Sequence, residues 1–197
     1  MTRLVLMVLL GLALTACSLA PPAVITSTDH FNHWLAEGKM GLRVADKGGN
    51  LNFVWLQEGD AYTLTLSGPL GAGRTELSGG PAGVTLRNGD TGAIRAASPE
   101  ELLESVTGFR APVSHLAHWL KARPATLEAR IERDVTGRVS RIDEDGWTAV
   151  FTAWDDTHTA LPRKIQITGP DTRLTVVVSR WQPEPPPATD PAPAAAP

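Results

Sequence analysis

Several residue groupings in the 197-residue chain have types and spacings that fit known chemistries. His30/His33 and His115/His118 are each spaced i, i+3, which on a helix puts two imidazoles on one face and within reach of one metal ion. Neither pair has a third ligand nearby in the sequence, so both read as solvated helix faces and no metal is expected. Ser114-His115 could begin a nucleophile–base pair, but no Gly-x-Ser-x-Gly elbow supports it. Asp143-Glu144-Asp145-Gly146 is acidic enough to suggest calcium, yet it lacks the spacing of a calcium loop and reads as a hairpin turn. Gly71-Ala72-Gly73 opens no helix and is not a dinucleotide fingerprint, and no G-x-x-x-x-G-K-[ST] loop is present for nucleotide hydrolysis. No catalytic residue is assigned, and the chain is not expected to be an enzyme.

The remaining reactive group is the single cysteine, Cys17. Arg3 precedes an apolar run from Leu4 to Leu14, and small residues lead to Cys17: the plan of a secretory signal peptide. The run is shorter than the roughly 20 apolar residues a membrane-spanning helix needs. Leu14-Thr15-Ala16-Cys17 resembles a bacterial lipobox, in which cysteine receives a diacylglyceryl group and becomes the N-acylated first residue after cleavage. Residues 1–16 are then a removed signal peptide and 17–28, with two prolines and no period, a lipidated tether. Ser18 follows the cysteine. Asp at that place usually retains a lipoprotein at the inner membrane, so Ser18 points to the periplasmic face of the outer membrane. No cofactor is expected beyond the covalent diacylglyceryl and N-acyl groups on Cys17.

Removing residues 1–16 takes away Arg3 and moves the formal charge from −3 to −4, mildly acidic and unclustered, which argues against a nucleic-acid partner. Lipidation of Cys17 leaves no thiol for a disulfide, so packing alone must hold the fold. Six tryptophans stand against one tyrosine, and indoles offer large apolar area for a core or a cavity wall.

The elements that would carry these residues follow from periodicity. Phe31, Trp34 and Leu35 share a face at i, i+3 and i+4, which predicts a helix from Asp29 to Glu37. From Lys39 the period changes to two. Strands are predicted at 39–44, 51–56, 62–66, 74–78, 84–88 and 92–96, separated by glycine-rich turns. Ser98-Pro99-Glu100-Glu101 is a capping box that opens a second helix, ended by Gly108, and Pro112 opens a third, closed by Pro124. Strands resume at 127–134, 138–143, 147–154, 163–168 and 173–181. About eleven antiparallel strands and about three helices suggest one domain, residues 29–181, mainly β: a single curved sheet whose concave face the helices cover. Residues alone leave open whether that face is filled or encloses a cavity. The tail 182–197, nearly all Pro, Ala, Thr, Asp and Glu, reads as disordered.

A set of short motifs, in order, covers about Trp34 to Trp181: Gly38-Lys39-Met40-Gly41-Leu42-Arg43, Trp55-Leu56-Gln57, Gly68-Pro69-Leu70-Gly71, Pro99-Glu100-Glu101-Leu102-Leu103, Thr107-Gly108, Pro112-Val113, Trp119-Leu120, Gly146-Trp147, Leu161-Pro162-Arg163 and Trp181. Behind a lipobox, this set resembles the LolB family of outer-membrane lipoprotein receptors. The resemblance implies an open half-barrel with a helical lid over an apolar cavity. It implies a protein that accepts acylated lipoproteins from a soluble, LolA-like periplasmic carrier and inserts them into outer-membrane phospholipid without nucleotide hydrolysis. Such a protein is expected to be a monomer. This chain departs from the family at Lys121-Ala122-Arg123, where glycine is common soon after the Trp-Leu pair, in having acidic residues where glutamine often precedes Gly-Trp, and in its Pro/Ala tail.

Each methylene left in water costs roughly 0.8 kcal/mol, so a triacylated cargo needs a large apolar shelter. The candidate lining is Phe53, Trp55, Leu64, Leu66, Leu103, Val106, Leu116, Trp147 and Phe151, with ordinary core packing the competing reading for each. Leu70 sits in a turn built from Gly68, Pro69 and Gly71. The residues alone allow it to fold inward or to protrude. The resemblance implies that it protrudes and acts in delivery to the membrane. Two other functions fit a lipid-anchored β-protein: an envelope-assembly lipoprotein binding a protein partner through a filled core, and a carrier of free lipids or glycolipids.

Overall fold

A computed structural model describes residues 32–45, 47–89, 92–108, 110–156 and 159–183. Cys17, the tether and most of the tail lie outside the described residues. Eleven strands form one sheet: β1 (His33–Val44), β2 (Lys47–Glu58), β3 (Ala61–Ser67), β4 (Thr75–Gly80), β5 (Gly83–Asn88), β6 (Gly92–Ala96), β7 (Arg130–Arg133), β8 (Val139–Glu144), β9 (Trp147–Trp154), β10 (Pro162–Thr168) and β11 (Thr172–Pro183). Two helices, α1 (Pro99–Thr107) and α2 (Val113–Trp119), lie in the chain between β6 and β7.

The spatial order is β6-β5-β4-β3-β2-β1-β11-β10-β9-β8-β7, antiparallel throughout. Two meanders, β1–β6 and β7–β11, are therefore joined by one seam between the first and last strands. The helices connect the two edge strands, β6 and β7, so the chain must pass from one margin of the sheet to the other there.

Strand alternation puts one apolar row on a single face, level after level. Leu77 opposes Leu64 on one side and Leu86 on the other, Leu64 opposes Trp55, and Trp55 opposes Ala36. Across the seam Met40 opposes Val176, Val176 opposes Ile165, and Ile165 opposes Phe151. All nine of these side chains are buried. Leu102, Val113, Leu116, Trp119 and Leu120, from the helices and the end of α2, join the same core.

The helix expected over 29–37 is not present in its described part, and the described residues form two α-helices rather than three. β1 begins at His33, with Trp34 and Ala36 buried and alternating. Period-two burial between β2 and β11 outweighs the local i, i+3, i+4 pattern, because a central strand is hydrogen-bonded to a neighbour on each side. The capping box forms as expected: Ser98 Oγ accepts from Glu101 N at 3.2 Å, Pro99 opens α1, and Gly108 closes it at φ 77°. Of the acidic tetrapeptide, Asp143 and Glu144 end β8, and Asp145 and Gly146, at φ 49° and 77°, form the two-residue hairpin turn to β9.

Candidate functional site

The floor of the concave face is aromatic. Trp34 of β1 stacks on Trp55 of β2 with centroids 5.9 Å apart, and meets Trp181 of β11 at 5.4 Å. Trp55 stacks in turn on Tyr62 of β3 at 5.2 Å. Four rings thus cross four neighbouring strands. Glycine makes room for one of them: a Cβ on Gly79 would lie 2.3 Å from the Tyr62 ring. Indole N–H groups here are partly satisfied, Trp55 Nε1 donating to Gln57 Oε1 at 2.9 Å and Trp181 Nε1 to Pro162 O at 3.0 Å. Trp34 Nε1 and the Tyr62 hydroxyl are buried with no hydrogen-bond partner among the described residues. Burial, reinforced by the charge of Glu100, pushes the Tyr62 hydroxyl up to about 12.

The cover is held unevenly. At the α2 end, the buried carboxylate of Glu144 on β8 accepts from Trp119 Nε1, from Ala125 N at 3.1 Å, from Thr126 N at 2.9 Å and from Thr126 Oγ1 at 3.0 Å. Burial works to raise the Glu144 pKa, but the N–H groups of Ala125, Trp119 and Thr126 outweigh it and hold the carboxyl below the usual range. His115 Nε2 lies 2.8 Å from Asp145 Oδ2, a second tie from α2 to the β8–β9 turn. Helix α1 is tied to α2 instead: Glu100 accepts from Ser114 N at 2.8 Å and Ser114 Oγ at 3.1 Å. It meets the core through Leu102 and Leu103. The lid is therefore bolted at β8 and rests by apolar contact beside β5 and β6.

The β3–β4 turn presents Leu70. Gly68 N donates to Ala72 O at 2.7 Å and Gly71 N to Gly68 O at 3.1 Å, so the turn is braced across its own neck. Asn52 Nδ2 donates to Gly68 O at 3.3 Å and fixes it to β2. Leu70 sits at φ 60°, ψ 19° within a short 3-10 turn and is 106% exposed. A left-handed conformation costs a non-glycine residue roughly 1–2 kcal/mol. Here a strained backbone holds a leucine entirely in solvent.

Of the proposed lining residues, Phe53, Trp55, Leu64, Leu116 and Phe151 are buried in one cluster, and Leu66, Leu103 and Trp147 pack against it partly buried. Val106 does not join them; it lies on the outer side of α1, 44% exposed. Glu144 was not singled out from sequence, where it reads as one acid in a turn. The available signal was its place next to the turn, two residues after Ile142 on the same strand and so directed inward.

The model of the family described as outer membrane lipoprotein LolB matches residues 32–181. The chain belongs to the LolB family. The outer-membrane lipoprotein LolB of Stutzerimonas stutzeri is 38% identical over 152 residues, which span 76% of this chain and 74% of the relative. That of Halorhodospira halophila is 35% identical over 191 residues, 91% of this chain and 94% of the relative. Membership and these names mark the chain as an outer-membrane lipoprotein. Among solved structures, a LolA-superfamily protein of Nitrosomonas europaea superposes with a TM-score of 0.52 at 10% identity, covering 80% of this chain and 89% of its own. That likeness establishes the open half-barrel fold. In Lys121-Ala122-Arg123, just past α2, Ala122 takes φ 54° to end the lid.

Proposed function

We propose that the chain accepts acylated lipoproteins from a soluble, LolA-like carrier, shelters their acyl chains against the concave face, and delivers them to the outer membrane. The observation that carries this is the concave face itself: apolar from strand to strand, and covered by a lid bolted at one side only. The ties of the cover to the sheet run from α2 to Glu144 and Asp145, whereas α1 meets the sheet through apolar side chains. Swinging α1 away from β5 and β6 would expose the aromatic floor without breaking the sheet. The free Trp34 N–H and Tyr62 hydroxyl are suited to the ester and amide carbonyls of an acylated cysteine, since buried polar groups normally find partners.

Delivery falls to Leu70, which would enter the acyl region and open a path for the cargo. No nucleotide is required if binding is tighter here than on the carrier and tighter still in the bilayer. Lipidation of Cys17 would keep the domain at the receiving membrane.

The test is transfer from a loaded carrier. Acylated lipoprotein on the carrier is mixed with this protein, with and without vesicles and with no nucleotide. Cargo moving to the protein, and onward to vesicles when they are present, is the expected result. Cargo remaining on the carrier would overturn the reading and favour an envelope-assembly role. Displacement of bound cargo by free phospholipid at similar concentration would favour a general lipid carrier.

A further inference from the structure

The end of the sheet that carries Leu70 also carries a cationic cleft. Strand β1 ends there, as do β3, β8 and β10. Arg43 of β1 stands directly opposite Arg173 of β11. Both are exposed, on the outer face that alternation assigns to odd positions of these strands. Like charges placed opposite each other destabilise a strand pair. The two arginines line one open cleft of about 420 Å³ with Thr168, Gly169, Asp171 and Thr172, between the β1–β2 and β10–β11 turns. Ala45 N donates to Asp171 O at 3.2 Å and Gly169 N to Thr172 O at 2.8 Å, so the walls are tied by backbone bonds.

Five other arginines have carboxylate partners: Arg87 with Glu76, Arg110 with Glu104, Arg138 with Asp156, Arg141 with Asp143 and Arg180 with Glu37. Among the described residues Arg43 and Arg173 have no ion pair. Among the described lining residues Asp171 offsets one of the two charges. Lys39 and Lys164, both level with Val177 on the same outer face, extend the positive stripe along the sheet.

Two guanidinium forks side by side are matched to a tetrahedral phosphate, which accepts from both at once. We propose that the Arg43–Arg173 cleft binds the phosphodiester of a phospholipid headgroup and so sets the attitude in which the domain meets the receiving membrane. The choice of a headgroup over free phosphate rests on the reading of Leu70 as a membrane-entering residue, because both features leave the same end of the sheet. The diacylglyceryl cargo carries no phosphate on its anchor, so the cleft serves the membrane rather than the cargo.

The test uses the full chain in neutral maltoside micelles and follows the Nε–Hε signals of Arg43 and Arg173 by NMR. The probes are dihexanoylphosphatidylglycerol below its micelle concentration, dihexanoylglycerol, and inorganic phosphate. The phosphatidylglycerol should shift both signals saturably, and dihexanoylglycerol should not. Arg43→Gln/Arg173→Gln should weaken binding about tenfold or more, with Arg43→Lys/Arg173→Lys in between because charge remains but the forks are lost. Backbone amide spectra report whether each variant is folded, and both positions are exposed. Absence of shifts, or shifts unchanged in the glutamine variant, would overturn the proposal. Equal affinity for inorganic phosphate would reduce the cleft to a free-anion site. Leu70→Glu should leave this titration unchanged, so failure of the delivery reading appears only in the transfer assay.

Discussion

At the scale of single residues, two left-handed positions occupied by ordinary side chains separate function from stability. Leu70 at φ 60° and Ala122 at φ 54° both carry the cost that glycine would avoid. Replacing either with glycine should raise unfolding stability by up to about 1 kcal/mol, measured by denaturant titration, because relieved strain exceeds the added entropy of the unfolded chain. The two should then part company. Ala122→Gly should leave cargo transfer to vesicles intact, whereas Leu70→Gly should accept cargo and fail to pass it on, as should Leu70→Glu. Normal delivery by Leu70→Glu would remove the leucine from the mechanism. The motif around Leu70 was legible as a turn with a misplaced apolar residue. Its direction was not, because inward and outward leucines share the same neighbours in sequence and differ only in the brace from Gly68 to Ala72 and the tie from Asn52.

At the scale of elements, the buried carboxylate of Glu144 is the centre of the tie between α2 and the sheet. Glu144→Gln keeps the shape but turns an amide NH₂ toward groups that themselves donate. It should cost about 3 kcal/mol and loosen α2 first. Hydrogen exchange should speed up over residues 99–126 while β1, β2 and β11 keep their protection. Equal acceleration in the sheet would mean that Glu144 serves the whole core. Because the folded carboxyl is held below the ordinary glutamate value of 4.5, its contribution is complete above that value and is lost as pH falls through the lower folded value. Further lid loosening should therefore appear on acidification below the ordinary glutamate value, and Glu144→Gln should lack this pH dependence. All eleven strands were legible from alternation and glycine turns, and α1 from its capping box. The supposed first helix failed because Trp34 sits three residues from Phe31 and one from Leu35, a spacing that suits a helix until the strand partners from β2 and β11 are known. Strand β7 was expected over 127–134 and pairs only at Arg130–Arg133, opposite Val139 to Asp143 of β8.

At the scale of the whole molecule, stability rests on the seam between the ends of the chain. Gly38 marks its tightest point. The β1–β11 register shifts between Glu37 and Gly38, and a Cβ on Gly38 would lie 2.0 Å from Val177 O. Gly38→Ala should cost about 3 kcal/mol, seen as a lowered denaturant midpoint, far more than alanine in an open turn. The seam also sets the order in which the molecule can be made. Ser179 Oγ donates to Glu37 O across 142 residues of sequence, whereas the other ladders join strands that are neighbours in the chain. Long loops close slowly, so the two meanders should form early and their union should limit the folding rate. A chain emerging N-terminus first completes β1 long before β11 exists. Until the last strand arrives, β1 offers an unpaired edge with an apolar row beneath it, the kind of surface on which other strands assemble. The interval between the first strand and the last is thus the most aggregation-prone period in the life of this protein.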